Sequence, residues 1–338
     1  MNFNNIEIGH EEADRIYRET MDRVYDISQI KSFSYWNNKR IEEKIKSEAL
    51  EPLSFGLKEL DEKIKLCGKR LLFIVARSSY GKTSFAAMMM KTQIKKNKTV
   101  LMFSCEEAGE DFISRMNPLF NNITDEQKGN FYMVDNPSLK MSELTRMCLG
   151  MKLKVGLDCV YIDQLNKLYT DKPYKNKHER IVLIAEELQA LVKILECPVI
   201  VLHQANRSVE GKKDLMSQGS VSDADAVYNE SQIIFFIESP DFWEWSRNKD
   251  SNQIIFDYII NVDKNRTIGG WRGKIECKFD TETGMFIDNN LFELYKKVKD
   301  HAQANKPKEI ELLPTEQNKE IDNLTKINKN GYSEAPPF

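Results

Sequence analysis

Between Leu71 and Ile237, short apolar runs rich in β-branched and aromatic residues alternate with longer stretches in which apolar positions recur every three or four residues. Six runs predict strands: Leu71 to Ala76, Thr99 to Ser104, Phe131 to Val134, Asp158 to Ile162, Val199 to His203 and Gln232 to Ile237. The helical pattern is clearest from Glu179 to Glu196, where Ile181, Ile184, Leu188, Leu191 and Leu195 share one face and Pro198 ends it. Such alternation predicts an α/β fold, a mostly parallel central sheet with helices on both faces. Two further strand-like runs, Gln253 to Val262 and Arg272 to Phe279, flank LysAsnArgThrIleGlyGly and predict a C-terminal β-hairpin. Ahead of the core, Ile16, Met21, Val24 and Tyr25 form the stripe of an amphipathic helix from Glu12 to Ile30. The stretch from Lys31 to Pro52 is polar with little periodicity and reads as a connector. From Gln303 onward the chain is rich in Asn, Lys, Glu and Pro and predicts a flexible tail. The expected organisation is an arm over 1–52, a core over 53–300 and a tail over 301–338.

Composition narrows this only slightly. In 338 residues, 41% are hydrophobic and 30% charged, enough to build a core and unlike a disordered, collagenous or membrane-spanning chain. A net charge of -3 and a pI near 6.0 give no bulk electrostatic reason for nucleic-acid binding, so any such contact must come from a local basic stripe. The six cysteines form no CxxC pair, and four sit among apolar residues, as buried hydrophobes in a reducing compartment would. The N-terminus lacks the charged and apolar regions of a secretory signal, and no apolar run is long enough to span a bilayer. A soluble cytoplasmic protein is expected.

The most specific chemistry lies in ArgSerSerTyrGlyLysThrSer at 77–84, directly after one strand and before a helical run. A phosphate cradle needs backbone N–H groups, a glycine where a Cβ would intrude, a lysine for the β- and γ-phosphates and a hydroxyl for Mg²⁺. Gly81, Lys82 and Thr83 supply these, and Ser78, Ser79, Tyr80 and Ser84 complete the loop; Ala76 stands where the GxxxxGK[ST] pattern has its first glycine. Hydrolysis also needs carboxylates, one for the Mg²⁺ shell and one for the attacking water. Asp163 and Glu106 both follow apolar strands and so fall at the carboxyl edge of the sheet, where ligands bind in such folds. Gln204 ends another strand and can contact the γ-phosphate. The segment after it, Arg207 to Tyr228, carries Arg207, Lys212 and Lys213 without apolar periodicity, as a ligand-contacting loop would.

Taken in order, SerPheGlyLeuLysGluLeuAsp, the phosphate loop, PheSerCysGluGlu, ValTyrIleAspGln, HisGlnAlaAsnArgSer and ValAspLysAsnArgThrIleGlyGly resemble the motifs of DnaB-type replicative ring helicases. The resemblance covers about Leu53 to Asp288 and implies a RecA-like P-loop NTPase core using ATP and Mg²⁺. It implies Lys82 on phosphate, Thr83 and Asp163 on Mg²⁺, Glu106 as the water-activating base and Gln204 as γ-phosphate sensor. It further implies that Lys264 and Arg266 reach the neighbouring subunit's nucleotide, with Arg266 as an arginine finger. An arginine on a rigid turn delivers fixed charge to a phosphoryl group, so hydrolysis becomes sensitive to subunit geometry.

The function so implied is an ATP-dependent helicase, a hexameric ring translocating on single-stranded DNA, with Arg207, Lys212 and Lys213 lining the channel. A helicase loader, primase, polymerase or single-strand binding protein are candidate further partners; no membrane is. About fifty residues precede the core, too few for the domain with which many family members contact primase. The short chain and its Lys and Asn content suggest a phage or mobile-element version acting in the host cytoplasm. The terminal SerGluAlaProProPhe resembles the tips by which single-strand binding proteins recruit partners. The alternative is a RecA-like ATP-dependent DNA-binding switch, a recombinase, mediator or loader without processive unwinding.

Overall fold

A computed structural model describes residues 31–120, 123–206, 216–220, 224–248, 253–267 and 269–304. Its eleven strands are β1 (Leu71–Ala76), β2 (Val100–Ser104), β3 (Phe131–Asp135), β4 (Leu139–Lys140), β5 (Cys159–Asp163), β6 (Leu168–Tyr169), β7 (Val199–Gln204), β8 (Ile233–Glu238), β9 (Ile255–Asn265), β10 (Gly273–Asp280) and β11 (Met285–Asp288). Nine of them form one sheet in the order β11-β10-β9-β8-β1-β7-β5-β2-β3. The strands from β8 to β3 run parallel, and β9, β10 and β11 extend the sheet antiparallel from β8.

The residues of β1 show why this sheet must be covered on both sides. Leu72, Ile74 and Ala76 join the apolar cluster that includes Phe85, Met89 and Ile94 of the helix Lys82–Lys95. Leu71, Phe73 and Val75 point the other way, into the cluster containing Ile181, Ile184, Leu188 and Leu195 of the helix Lys177–Leu195. Successive strand residues face opposite sides, so an uninterrupted apolar run is stable only between two layers. Each such side chain buried contributes about 1.5–3 kcal/mol.

All six predicted parallel strands and both hairpin strands form, β1 with the predicted ends and the others with ends shifted by at most three residues. Four elements depart from the pattern. The connector expected over 31–52 contains a helix, Phe33–Ala49, built from Lys, Glu, Arg, Ala and other residues whose helix propensity needs no apolar stripe. The short strands β4 and β6, two residues each, pair with one another and are too brief to carry a period. Strand β11 follows the turn ThrGluThrGly and is fixed by pairing to β10. The helix expected from Glu12 to Ile30 lies outside the described residues.

The SerPheGlyLeuLysGluLeuAsp segment closes on itself. Asp61 accepts from the Ser54 hydroxyl at 2.5 Å and the Phe55 N–H at 2.7 Å. Asp288, at the end of β11, then accepts the Lys58 and Glu59 N–H groups at 2.9 and 3.2 Å, capping the short helix Lys58–Lys63. A chain divided by compactness has two units, Met1–Asn289 and Asn290–Phe338; the second holds the helix Phe292–Ala304.

Candidate active site

Parallel strands bring their carboxyl ends to one edge, and the register sets who meets whom. Ala76 pairs with Gln204 on β7 and with Ile237 on β8, while Ser104 pairs with Asp163. The phosphate loop, the two acidic strand ends and Gln204 therefore converge from residues far apart in sequence. The Cys105 N–H donates to the Asp163 carbonyl at 2.7 Å, which fastens the segment carrying Glu106 to β5.

After β1 the chain turns at Ser79 and Gly81, both left-handed with φ of 65° and 74°, and enters the helix Lys82–Lys95. The left-handed angle at Gly81 disfavours any side chain, and a Cβ there would stand 3.2 Å from the Phe286 ring, which would have to shift. First-turn N–H groups of a helix lack intrahelical acceptors and carry the positive end of its dipole, the surroundings an anion needs. Within this turn the Lys82 ammonium donates to Asp163 Oδ1 at 2.7 Å and the Thr83 hydroxyl to Asp163 Oδ2 at 2.8 Å. Both side chains of the ion pair are nearly buried. A hydroxyl and a carboxylate side by side suit the shell of a hard divalent cation, and a lysine beside them suits phosphate. The Asp163–Gln164 peptide is cis.

A cleft of about 600 Å³ opens over this group. Ser78, Ser79, Gly81, Lys82, Thr83, Ser84, Glu106, Asp163 and Gln204 all line it, as the sequence places them. Tyr80 does not: its ring is buried, edge-on to Phe242 at 5.3 Å, so its contribution is packing beneath the loop. Sequence reasoning missed the remaining walls. Glu107 and Arg115 form an ion pair on one side, and Phe242, Phe279 and the turn Thr281 to Gly284 close the other. Apart from Glu107, in the bend after β2, those residues come from the antiparallel edge of the sheet, its turn and two helices, and no local pattern marks them. Arg77 also lines the cleft, stacked over Tyr80 with its guanidinium 5.6 Å from the ring centre.

Lys264 and Arg266 lie apart from this cleft. Lys264 sits within β9, 5% exposed, where its ammonium donates to the Tyr228 carbonyl and to the Ser231 hydroxyl at 3.3 Å. Burial, and next the Arg266 charge, lower its pKa to about 8. Because β9 continues through Asn265, only Arg266 of the pair stands in the turn, exposed, with one guanidinium N–H 3.4 Å from the Asn229 carbonyl. Arg207, Lys212 and Lys213 fall outside the described residues. Five cysteines are buried and Cys67 partly so, one more than their neighbours in sequence suggested; burial pushes the Cys105 and Cys197 thiols up to about 12. Among the described residues no group of histidine, cysteine and carboxylate side chains forms a metal cluster, and no helix is long and apolar enough to cross a membrane.

A parallel sheet with a phosphate loop after its central strand and acids at neighbouring strand ends defines a RecA-like ATPase fold. The sequence matches the DnaB-like helicase C terminal domain over residues 53–126 and 116–288. The chain belongs to that family. It is 28% identical over 244 residues to the replicative DNA helicase DnaB of Geobacillus stearothermophilus, covering 64% of this chain and 52% of the relative. Among solved structures, an ATPase domain superposes with a TM-score of 0.65 at 22% identity, covering 76% of this chain and 98% of that one. A DnaB-like replicative helicase studied with primase gives 0.63, also at 22% identity, over 82% and 74%. The chain spans about half the length of the curated relatives it matches.

Proposed function

We propose that the protein is an ATP-dependent DNA helicase whose subunits assemble into a ring on single-stranded DNA. The observation that carries this reading is the convergence of Lys82 and Thr83 on Asp163, at 2.7 and 2.8 Å, with Glu106 and Gln204 lining the same cleft. Bound ATP and Mg²⁺ supply the scissile phosphoanhydride and the charge that neutralises it. Lys82 and the loop amides hold the phosphates, Thr83 and Asp163 hold Mg²⁺, Glu106 orients the attacking water and Gln204 senses the γ-phosphate. Arg266 completes the neighbouring subunit's site, and Lys264, bonded within its own chain, stiffens the strand that presents it. The segment containing Arg207, Lys212 and Lys213 contacts DNA in the channel. Hexameric stoichiometry, and engagement of a loader, primase, polymerase or single-strand binding protein, extend the same reading.

Strand displacement on a forked duplex tests it. Wild type displaces the strand with ATP and Mg²⁺, and Lys82→Ala lowers the rate by about 100-fold or more. DNA-stimulated hydrolysis without displacement by wild type would instead indicate an ATP-dependent DNA-binding switch.

A further inference from the structure

The carboxyl end of β8 carries an acid that the nucleotide chemistry above does not use. After the apolar run IleIlePhePheIle comes Glu238, 1% exposed. Taking a carboxylate out of water costs several kcal/mol unless it is bonded and faces opposite charge. Its Oε2 accepts the Met216 N–H at 2.9 Å, and its Oε1 is buried with no hydrogen bond from the described residues. Burial pushes its pKa up to about 7, opposed by the Met216 bond and then by the charges of Arg77 and Lys274.

Those partners belong to different machinery. Ile237 is level with Ala76, so Glu238 lies one step beyond, beside Arg77, the first residue of the phosphate loop and part of the cleft wall. Lys274 comes from β10, in the antiparallel part of the sheet. Met216, the first described residue after Asn206, is buried in the apolar cluster that includes residues of β1 and β7. The chain just after Gln204 is also fixed: the Ala205 N–H donates to the Ala76 carbonyl at 2.9 Å and the Asn206 N–H to the Ser220 carbonyl at 2.7 Å. One carboxylate thus faces the nucleotide loop through charge and the return of the Gln204 segment through a hydrogen bond.

We propose that Glu238 is a positioning residue that links the phosphate loop, through Arg77, to the segment following Gln204, through Met216. The inference rests on the cleft being the nucleotide site. An anion in the cleft draws on the Arg77 charge that Glu238 otherwise faces, and the strain passes to the Met216 amide. Binding at one end and geometry at the other are then coupled, and the coupling is reciprocal.

Hydrogen exchange of the 206–220 peptide, with and without a non-hydrolysable ATP analogue at about pH 8 so that the acid is ionised, tests the link. In wild type the analogue changes exchange of this peptide by about threefold or more; Glu238→Gln, which keeps an acceptor for Met216 but loses the charge, abolishes that response. Glu238→Ala abolishes it too and raises basal exchange at Met216, which Glu238→Gln does not. Analogue affinity stays within about threefold of wild type in both variants, separating a link from a damaged site. A response retained in Glu238→Gln, or absent from wild type that binds the analogue, overturns the proposal. Wild type that binds no nucleotide sinks the reading of the cleft instead, and wild type that responds but binds no single-stranded DNA sinks the helicase reading alone.

Discussion

Asp163 shows how much one side chain can be asked to do. It accepts from both Lys82 and Thr83 and ends a fully buried strand, so the hydroxyl and ammonium proposed to hold Mg²⁺ and phosphate are already gathered around it. Glu106 is exposed to the cleft and free of such duties in the packing. Glu106→Gln is therefore expected to lower steady-state hydrolysis by about 10²- to 10⁴-fold while nucleotide affinity, read by fluorescent-nucleotide titration, stays nearly constant. A parallel loss of affinity would argue against its assignment as the base. Glu238 gives a second prediction, of stability. Its folded pKa, about 7, exceeds the ordinary 4.5, so the native state holds the proton more tightly, and the associated stability is present at low pH and lost as pH rises from about 4.5 to 7. Glu238→Gln should gain up to roughly 2–3 kcal/mol relative to wild type between pH 5 and pH 8, measured by urea unfolding. An identical difference at both pH values would show that the carboxyl titrates normally.

At the scale of elements, the site is made by strand ends and one helix start. Gly81 occupies the joint between β1 and the helix Lys82–Lys95, where a left-handed angle strains any side chain and the nearby Phe286 ring would have to shift for one. Gly81→Ala should destabilise the protein by about 1–3 kcal/mol in chemical denaturation, and weaken nucleotide binding because the loop amides move with the joint. Unchanged stability would mean that the Phe286 ring yields at little cost. The strands were legible in sequence because each is an uninterrupted apolar run, and the phosphate loop because its residue types and its place between strand and helix are both local. The helix Phe33–Ala49 was not, since its residues favour a helix through propensity and leave Phe33 and Trp36 exposed without an apolar period. Strand β11 and the cleft wall at Thr281 to Gly284 depend on pairing with β10, a contact invisible in any local window.

For the whole molecule, the proposed assembly gives the exposed turn at Arg266 its role, the action of one subunit on another. If Arg266 serves the neighbouring site, Arg266→Ala should cut DNA-stimulated hydrolysis by about 10³-fold or more, and mixing it with wild type should depress activity beyond the fraction of variant added. Activity that simply scales with the wild-type fraction would confine Arg266 to its own chain. By itself the sequence determined the α/β class, the six parallel strands, the phosphate loop and the identity of the acids at strand ends, because each follows from local periodicity or from residue type at fixed spacing. Only the tertiary structure decided which strands are neighbours, and hence that Asp163 meets Lys82 and Thr83, that Tyr80 packs beneath the loop, and that Lys264 is bonded within its own chain. It also decided that Glu238 lies between Arg77 and Met216. Register and strand order come from the joint packing of two apolar layers, an energy summed over the whole sheet and written in no single segment.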